Sequence, residues 1–302
     1  MPGGTYRLYG LAVRSPLALP CPRDPRRASV AIRRVGGSAG RRFEELSSSR
    51  SWFSYQGHSD GSALLRWRGL SDFIVSADGA TVRWRRLPRA TNEAFRAYLL
   101  PQVLSFSLLA RGQEPLHGSA VAVDGGVIGF LGDCGMGKSS LAAAFLQAGY
   151  PLVTDDLLVL IRRGAGYVAE PGIPSIKLAP RVARHLLGML RTGPRMAPGA
   201  AKRIVPLPSS MSVRDPLPLR ALYVLTRGLA VRITPLAPAA AFLEILRDAF
   251  NTVQLDSGRL ASQFRFARRL AGTAQVRLLA YPRRLAGLEG VRQAVLEDCG
   301  PS

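Results

Sequence analysis

Residues 129 to 145 read GFLGDCGMGKSSLAAAF: an apolar stretch, a loop holding most of four glycines and one lysine, then a run of good helix formers. Few folds accommodate this order, because it sets the loop's backbone amides at the N-terminus of a helix directly after a strand. Gly132-Asp133-Cys134-Gly135-Met136-Gly137-Lys138-Ser139 satisfies the phosphate-loop pattern G-x-x-x-x-G-K-[ST], with Ser140 following. Glycines let the backbone wrap a phosphate closely, the amides donate to its oxygens, Lys138 reaches the β and γ phosphates, and the Ser139 hydroxyl suits Mg²⁺.

Lys138 is one of only three lysines in the chain. Lysine and arginine together number 41 against 20 acidic residues, a formal charge of +21, so nearly all the positive charge is arginine. The arginines are scattered along the chain, as a codon bias would scatter them. The aromatic-interleaved basic patches that stack bases are absent, so no nucleic-acid partner is expected. An acidic peptide partner is compatible with the charge. Cys21, Cys134 and Cys299 show no paired metal spacing and suit a reduced compartment. No apolar run approaches the roughly 18 residues of a membrane-spanning helix. The opening MPGGTYRLYGLAVRS lacks the signature of a secretion signal, and a cytoplasmic location is expected.

Residues 1–90 read as a small, mostly β domain: YRLYGLAV, ASVAIRRV, SWFSYQ, SALLRWR, DFIVSA and ATVRWRRL alternate apolar and polar positions between turn residues. Residues 91–302 read as an α/β domain. A helical segment at 91–112 is interrupted by Pro101. SAVAV and VIGFLG are joined by DGG, a hairpin signal, and lead into the glycine loop. SSLAAAFLQAG is a helix, and YPLVTDDLLVLI an apolar β-run interrupted by two aspartates. Strands are expected near YVAE, ALYVLTR and VRITPL, and helices near 179–191, 237–250, 259–270 and 283–296.

Asp155 and Asp156 follow Lys138 by only seventeen and eighteen positions. Adjacent carboxylates cost desolvation and mutual repulsion unless a cation or a proton offsets them, and Mg²⁺ would do so. His117, in EPLHGSAV, precedes the hairpin that feeds the loop, so strand geometry can return it beside the phosphate site.

Together LHGSAV, GDCGMGKSS and GYPLVTDDLLVL resemble the catalytic domain of the HPr serine kinase family. The resemblance implies a phosphate-loop kinase fold, ATP and Mg²⁺ as cofactors, Lys138 and Ser139 holding them, Asp156 taking the proton from a substrate serine, His117 as a catalytic histidine, and Asp155 near the metal. Glu170 in VAEPGIPSIKL and Arg203 in AKRIVPLP occupy the places of a further metal ligand and a phosphate-handling arginine, in altered surroundings. The segment associated with reversing the phosphorylation is not recognisable, which implies a kinase without phosphorylase activity. YRLYGLAVRSPLALP is similar instead to divergent HPr-kinase-like proteins, some encoded with ribosomally made peptides. In lasso-peptide pathways such proteins phosphorylate a C-terminal serine of the precursor. The expectation is a serine kinase acting on a peptide or small protein, with HPr itself as the alternative acceptor or nucleotide-dependent regulation without transfer as the alternative role. The resemblance also admits a homo-oligomer.

Overall fold

The computed structural model describes residues 3–35, 43, 51–87, 99–188, 193, 195, 201–253 and 257–300. The chain divides into two compact units: Met1–Gln113 with Asn251–Leu255, and Glu114–Phe250 with Asp256–Ser302. The expected boundary at 90/91 and the first part of the expected helix, 91–98, lie outside the described residues.

The first unit holds a seven-stranded sheet of β1 (Gly4–Leu8), β2 (Leu11–Ser15), β3 (Val30–Arg34), β4 (Phe53–Gly57), β5 (Ala63–Trp67), β6 (Ser71–Val75) and β7 (Thr81–Arg86), in the order β1-β2-β3-β7-β6-β5-β4. Each strand overlaps a segment whose alternation predicts it, with ends that differ by one or two residues in several cases. YRLYGLAV makes two strands, because Tyr9 and Gly10 take the left-handed conformation (φ 53° and 78°) and turn the chain. Around Pro101 the backbone widens to a π-turn, Leu99–Val103, before α1 (Leu104–Ala110).

The second unit is a mixed α/β structure. Its strands are β8 (Leu116–His117), β9 (Ser119–Val123), β10 (Gly126–Leu131), β11 (Leu152–Thr154), β12 (Leu157–Arg163), β13 (Gly166–Glu170), β14 (Ser175–Leu178), β15 (Arg203–Pro206), β16 (Leu217–Arg227), β17 (Arg232–Pro235) and β18 (Gln275–Tyr281). Its helices are α2 (Lys138–Gln147), α3 (Pro180–Leu187), α4 (Pro238–Arg247), α5 (Ser257–Thr273) and α6 (Leu288–Cys299). The main sheet runs β11-β9-β10-β16-β13-β12-β8, with β18 joined to β16 and β17 to β18, while β14 and β15 form a separate ribbon. Strand β10 pairs with β9 in an antiparallel hairpin whose turn residues, Asp124 and Gly125, both have positive φ (46° and 74°), as a two-residue turn of this type requires. On its other side β10 is parallel to β16, itself parallel to β18.

The sheet is buried on both faces, so β10 reads as a continuous apolar run rather than an alternating one. Ile128 and Phe130 pack into the core shared with α2, α3 and α6, whereas Val127 and Leu131 face the core shared with α4 and α5. Helix α2 buries Leu141 through Leu146 without interruption, which anchors the glycine loop rigidly to the sheet. Strands β8, β14, β15 and β18 carry no clear alternation. The first three are short, and β18 takes its place by pairing with β16.

Candidate active site

The glycine loop spans the end of β10 and the start of α2, and two of its glycines are obligatory on geometric grounds. Gly132 has φ 123°, and a side chain there would come within 2.8 Å of the Leu225 carbonyl oxygen. At Gly137, φ 102°, a Cβ would lie 2.5 Å from the Tyr281 hydroxyl. That hydroxyl donates a 2.7 Å hydrogen bond to the Met136 carbonyl, which ties the loop to the end of β18. The Gly132 amide donates to Asp248 Oδ2 at 2.8 Å, and the His117 amide donates to the Asp248 carbonyl at 2.6 Å. One residue following α4 therefore fixes both the first glycine and the histidine.

The interruption in the run YPLVTDDLLVLI divides it into two strands. It breaks at the aspartates: β11 pairs with β9, and β12 departs to pair with β8 and β13. The Thr154 hydroxyl donates to the Leu157 carbonyl at 2.8 Å and closes the corner. Asp156 adopts φ 74° there, a conformation costing a non-glycine residue on the order of 1 kcal/mol.

The corner sends the two carboxylates to different partners. Asp155 Oδ1 accepts from the hydroxyls of Ser119 (2.6 Å) and Ser139 (2.9 Å), and its Oδ2 accepts from the Lys177 amide at 2.8 Å. Asp156 Oδ2 accepts from the Lys177 ammonium, with both side chains nearly buried. His117 Nδ1 lies 3.2 Å from the Asp156 carbonyl, which can only accept, so the ring's proton sits on Nδ1. The Lys138 ammonium donates to the carbonyls of Gly132 and, at 3.3 Å, Asp133.

The electrostatics follow from burial and charge. Burial, reinforced by the charge of Asp156, raises the Asp155 carboxyl above the usual carboxylate range. Burial would raise Asp156 as well, but Lys177, His117 and Lys202 outweigh it and hold this carboxyl low. Burial and the nearby Lys138 charge lower His117, which favours the neutral ring. Burial also lowers Lys138, against the attraction of Asp248, and pushes Asp248 up to about 6.

A cleft of about 210 Å³ opens over this arrangement, lined by His117, Cys134, Gly135, Gly137, Lys138, Ser139, Ser140, Asp156, Lys177, Leu178, Ala179, Val182, Lys202 and Arg283. Asp155 lies beneath it, reached through Ser139. Of the loop residues, Gly132, Asp133 and Met136 lie outside the lining. Glu170, at the end of β13, is buried opposite Val159 and is not among the lining residues. Nor is Arg203, which opens β15 and donates to the Gly193 carbonyl at 3.3 Å. Its neighbour Lys202 does line the cleft.

Sequence reasoning missed Ser119, Lys177, Lys202, Asp248 and Arg283. Lysine scarcity was a readable signal for two of them, because all three lysines of the chain line this one cleft. Asp248 is 116 positions from Gly132 and carries no local mark.

No protein-family model and no curated protein matches the chain. Among solved structures, it is similar to the HPr(Ser) kinase/phosphatase from Coxiella burnetii, at 15% sequence identity over 62% of this chain and 99% of that one, with a TM-score of 0.34. The likeness is distant, and the chemistry of the site rests on its own geometry. Among the described residues, no helix is long and apolar enough to cross a membrane.

Proposed function

We propose that this chain is an ATP-dependent serine kinase of the HPr-kinase type, working in the cytoplasm on a peptide or small protein. The observation that carries the reading is the junction at Ser139. The serine that ends the phosphate-loop motif donates to Asp155 at 2.9 Å, and the adjacent Asp156 lines the same cleft as Lys138. Donor-binding and proton-accepting groups thus share one cavity.

The residues divide the work as phosphoryl transfer requires. Loop amides and the Lys138 ammonium bind the triphosphate, and the rigid seat of α2 orients it. Ser139 and Asp155 present hard oxygen donors that fit Mg²⁺, which takes few protein ligands and keeps waters and phosphate oxygens. Bound there, Mg²⁺ supplies charge neutralisation on the β and γ oxygens. Asp156, held ionised, accepts the proton of the attacking hydroxyl. Neutral His117 donates Nδ1–H to the Asp156 carbonyl and so steadies the residue that carries the base. Such sites act chiefly by positioning and electrostatics.

For the acceptor we propose a serine on a ribosomally made, lasso-type precursor peptide. The +21 charge suits an acidic peptide and a phosphorylated product. The test is incubation with γ-labelled ATP, Mg²⁺ and either a serine-terminated precursor peptide or HPr. Label on the peptide is the expected result; label on HPr would reassign the acceptor, and bound ATP with no transfer would make the protein a regulatory nucleotide binder.

A further inference from the structure

Lys177 was not singled out by its sequence context, yet it touches both carboxylates of the pair. It lies on β14 in the two-stranded ribbon, opposite Ile204 of β15, and so comes from outside the sheet that carries the loop and the aspartates. Its amide donates to Asp155 Oδ2 at 2.8 Å and its ammonium to Asp156 Oδ2. The remaining Asp155 oxygen is taken by Ser119 and Ser139. Both partners of the ion pair are nearly buried, with side chains 9% and 11% exposed. In a chain that otherwise relies on arginine, an ammonium stands here. It is a compact charge on a flexible stem, whereas a guanidinium is a broad planar fork that does not substitute for it.

We propose that Lys177 is a positioning residue for phosphoryl transfer, which separates the two carboxylates into one that faces Ser139 and one that takes the acceptor's proton. The proposal rests on the kinase reading. In the step it serves, the acceptor oxygen forms a bond to the γ-phosphorus, the bond from that phosphorus to the β,γ-bridging oxygen breaks, ADP leaves with the electron pair, and the hydroxyl proton passes to Asp156. With its ammonium gone, nothing holds the Asp156 carboxylate in place against repulsion from Asp155 and the phosphates, and the proton acceptor is misplaced although the nucleotide still binds.

The test compares wild type, Lys177→Met and Lys177→Arg in the full-length protein. ADP release is followed with Mg-ATP and a mixture of serine peptides, and Mg-ADP affinity is measured separately. Lys177→Met is expected to lower kcat at least about 100-fold, with Mg-ADP affinity within about 3-fold, and Lys177→Arg to restore little. Selective ¹³Cε labelling of lysine gives three resonances, one per lysine, and Asp156→Asn is expected to move the Lys177 signal. Undiminished kcat in a folded Lys177→Met protein, parallel loss of affinity and kcat, or a Lys177 signal indifferent to Asp156→Asn would overturn the proposal. Nucleotide binding without ADP release by the wild type would instead overturn the kinase reading.

Discussion

Each unit of this protein buries carboxylates within a β-structure, and the two do it in opposite ways. In the first, Asp72 on β6 sits directly across from Arg66 on β5 and Arg85 on β7. Their guanidinium nitrogens approach its two oxygens at 2.8 and 2.7 Å. One carboxylate there has two cations. In the second, Asp155 and Asp156 sit at a broken strand with one ammonium in contact, on Asp156, while Asp155 is met by two neutral hydroxyls and an amide. A carboxylate with two guanidinium forks is complete within its own sheet and holds strands together. At the corner only Asp156 has a cation in contact, while Asp155, raised by burial and by its neighbour's charge, is incomplete until a cation or proton arrives. The under-compensated site is the one at which we propose that the chemistry takes place.

The comparison can be broken at either end. The largest effect belongs to the loop: Lys138→Met is expected to reduce ATP turnover at least about 1,000-fold while the thermal midpoint stays near wild type. A collapse of the fold in that variant would mean that the lysine is structural. Next, Asp72→Asn leaves two arginines facing a neutral group and is expected to cost about 3 kcal/mol of unfolding free energy, read from urea titration. Mg-ADP affinity should not change, because the clamp lies in the other unit.

A smaller effect is expected from Asp248. Its carboxyl is pushed up to about 6 in the folded protein, with burial the leading cause, against about 3.9 in an unfolded chain. A raised carboxylate favours the folded state most at low pH. Its contribution, roughly 2 to 3 kcal/mol, is present below pH 4 and lost as pH rises through 6. Asp248→Asn should flatten that part of the pH dependence, measured as the urea midpoint between pH 4 and 7. Least of all, Lys202→Ala is expected to raise the KM for ATP by several-fold, about 1 kcal/mol, since Lys202 is exposed at the cleft's rim.

Part of the first unit was legible because some of its strands bury one face more than the other. In β7, for instance, Val82 and Trp84 are buried while Arg83 is exposed. The glycine loop was legible for a different reason, since its backbone conformations at Gly132 and Gly137 tolerate no other residue. The interruption expected at the two aspartates falls where the chain breaks into β11 and β12; what local apolarity did not record is that the two halves pair with different neighbours. Glu170 and Arg203, carried onto the site by resemblance, lie outside the residues lining the cleft, whereas Lys177 and Lys202 lie among them.

What the amino-acid order determined by itself is whatever depends on near neighbours: the hairpin at Asp124–Gly125, the loop's wrapped backbone, the helix behind it and the adjacency of two carboxylates. Only the tertiary structure decided how that charge is compensated. The Lys177 ammonium and the Ser119 hydroxyl reach the carboxylates from 21 and 36 positions away, and the Asp248 carboxylate reaches the loop's first glycine from 116. Their recruitment depends on which strands pair and which ribbon packs over the corner. No local pattern records that choice, because electrostatic compensation acts through space and is indifferent to separation along the chain.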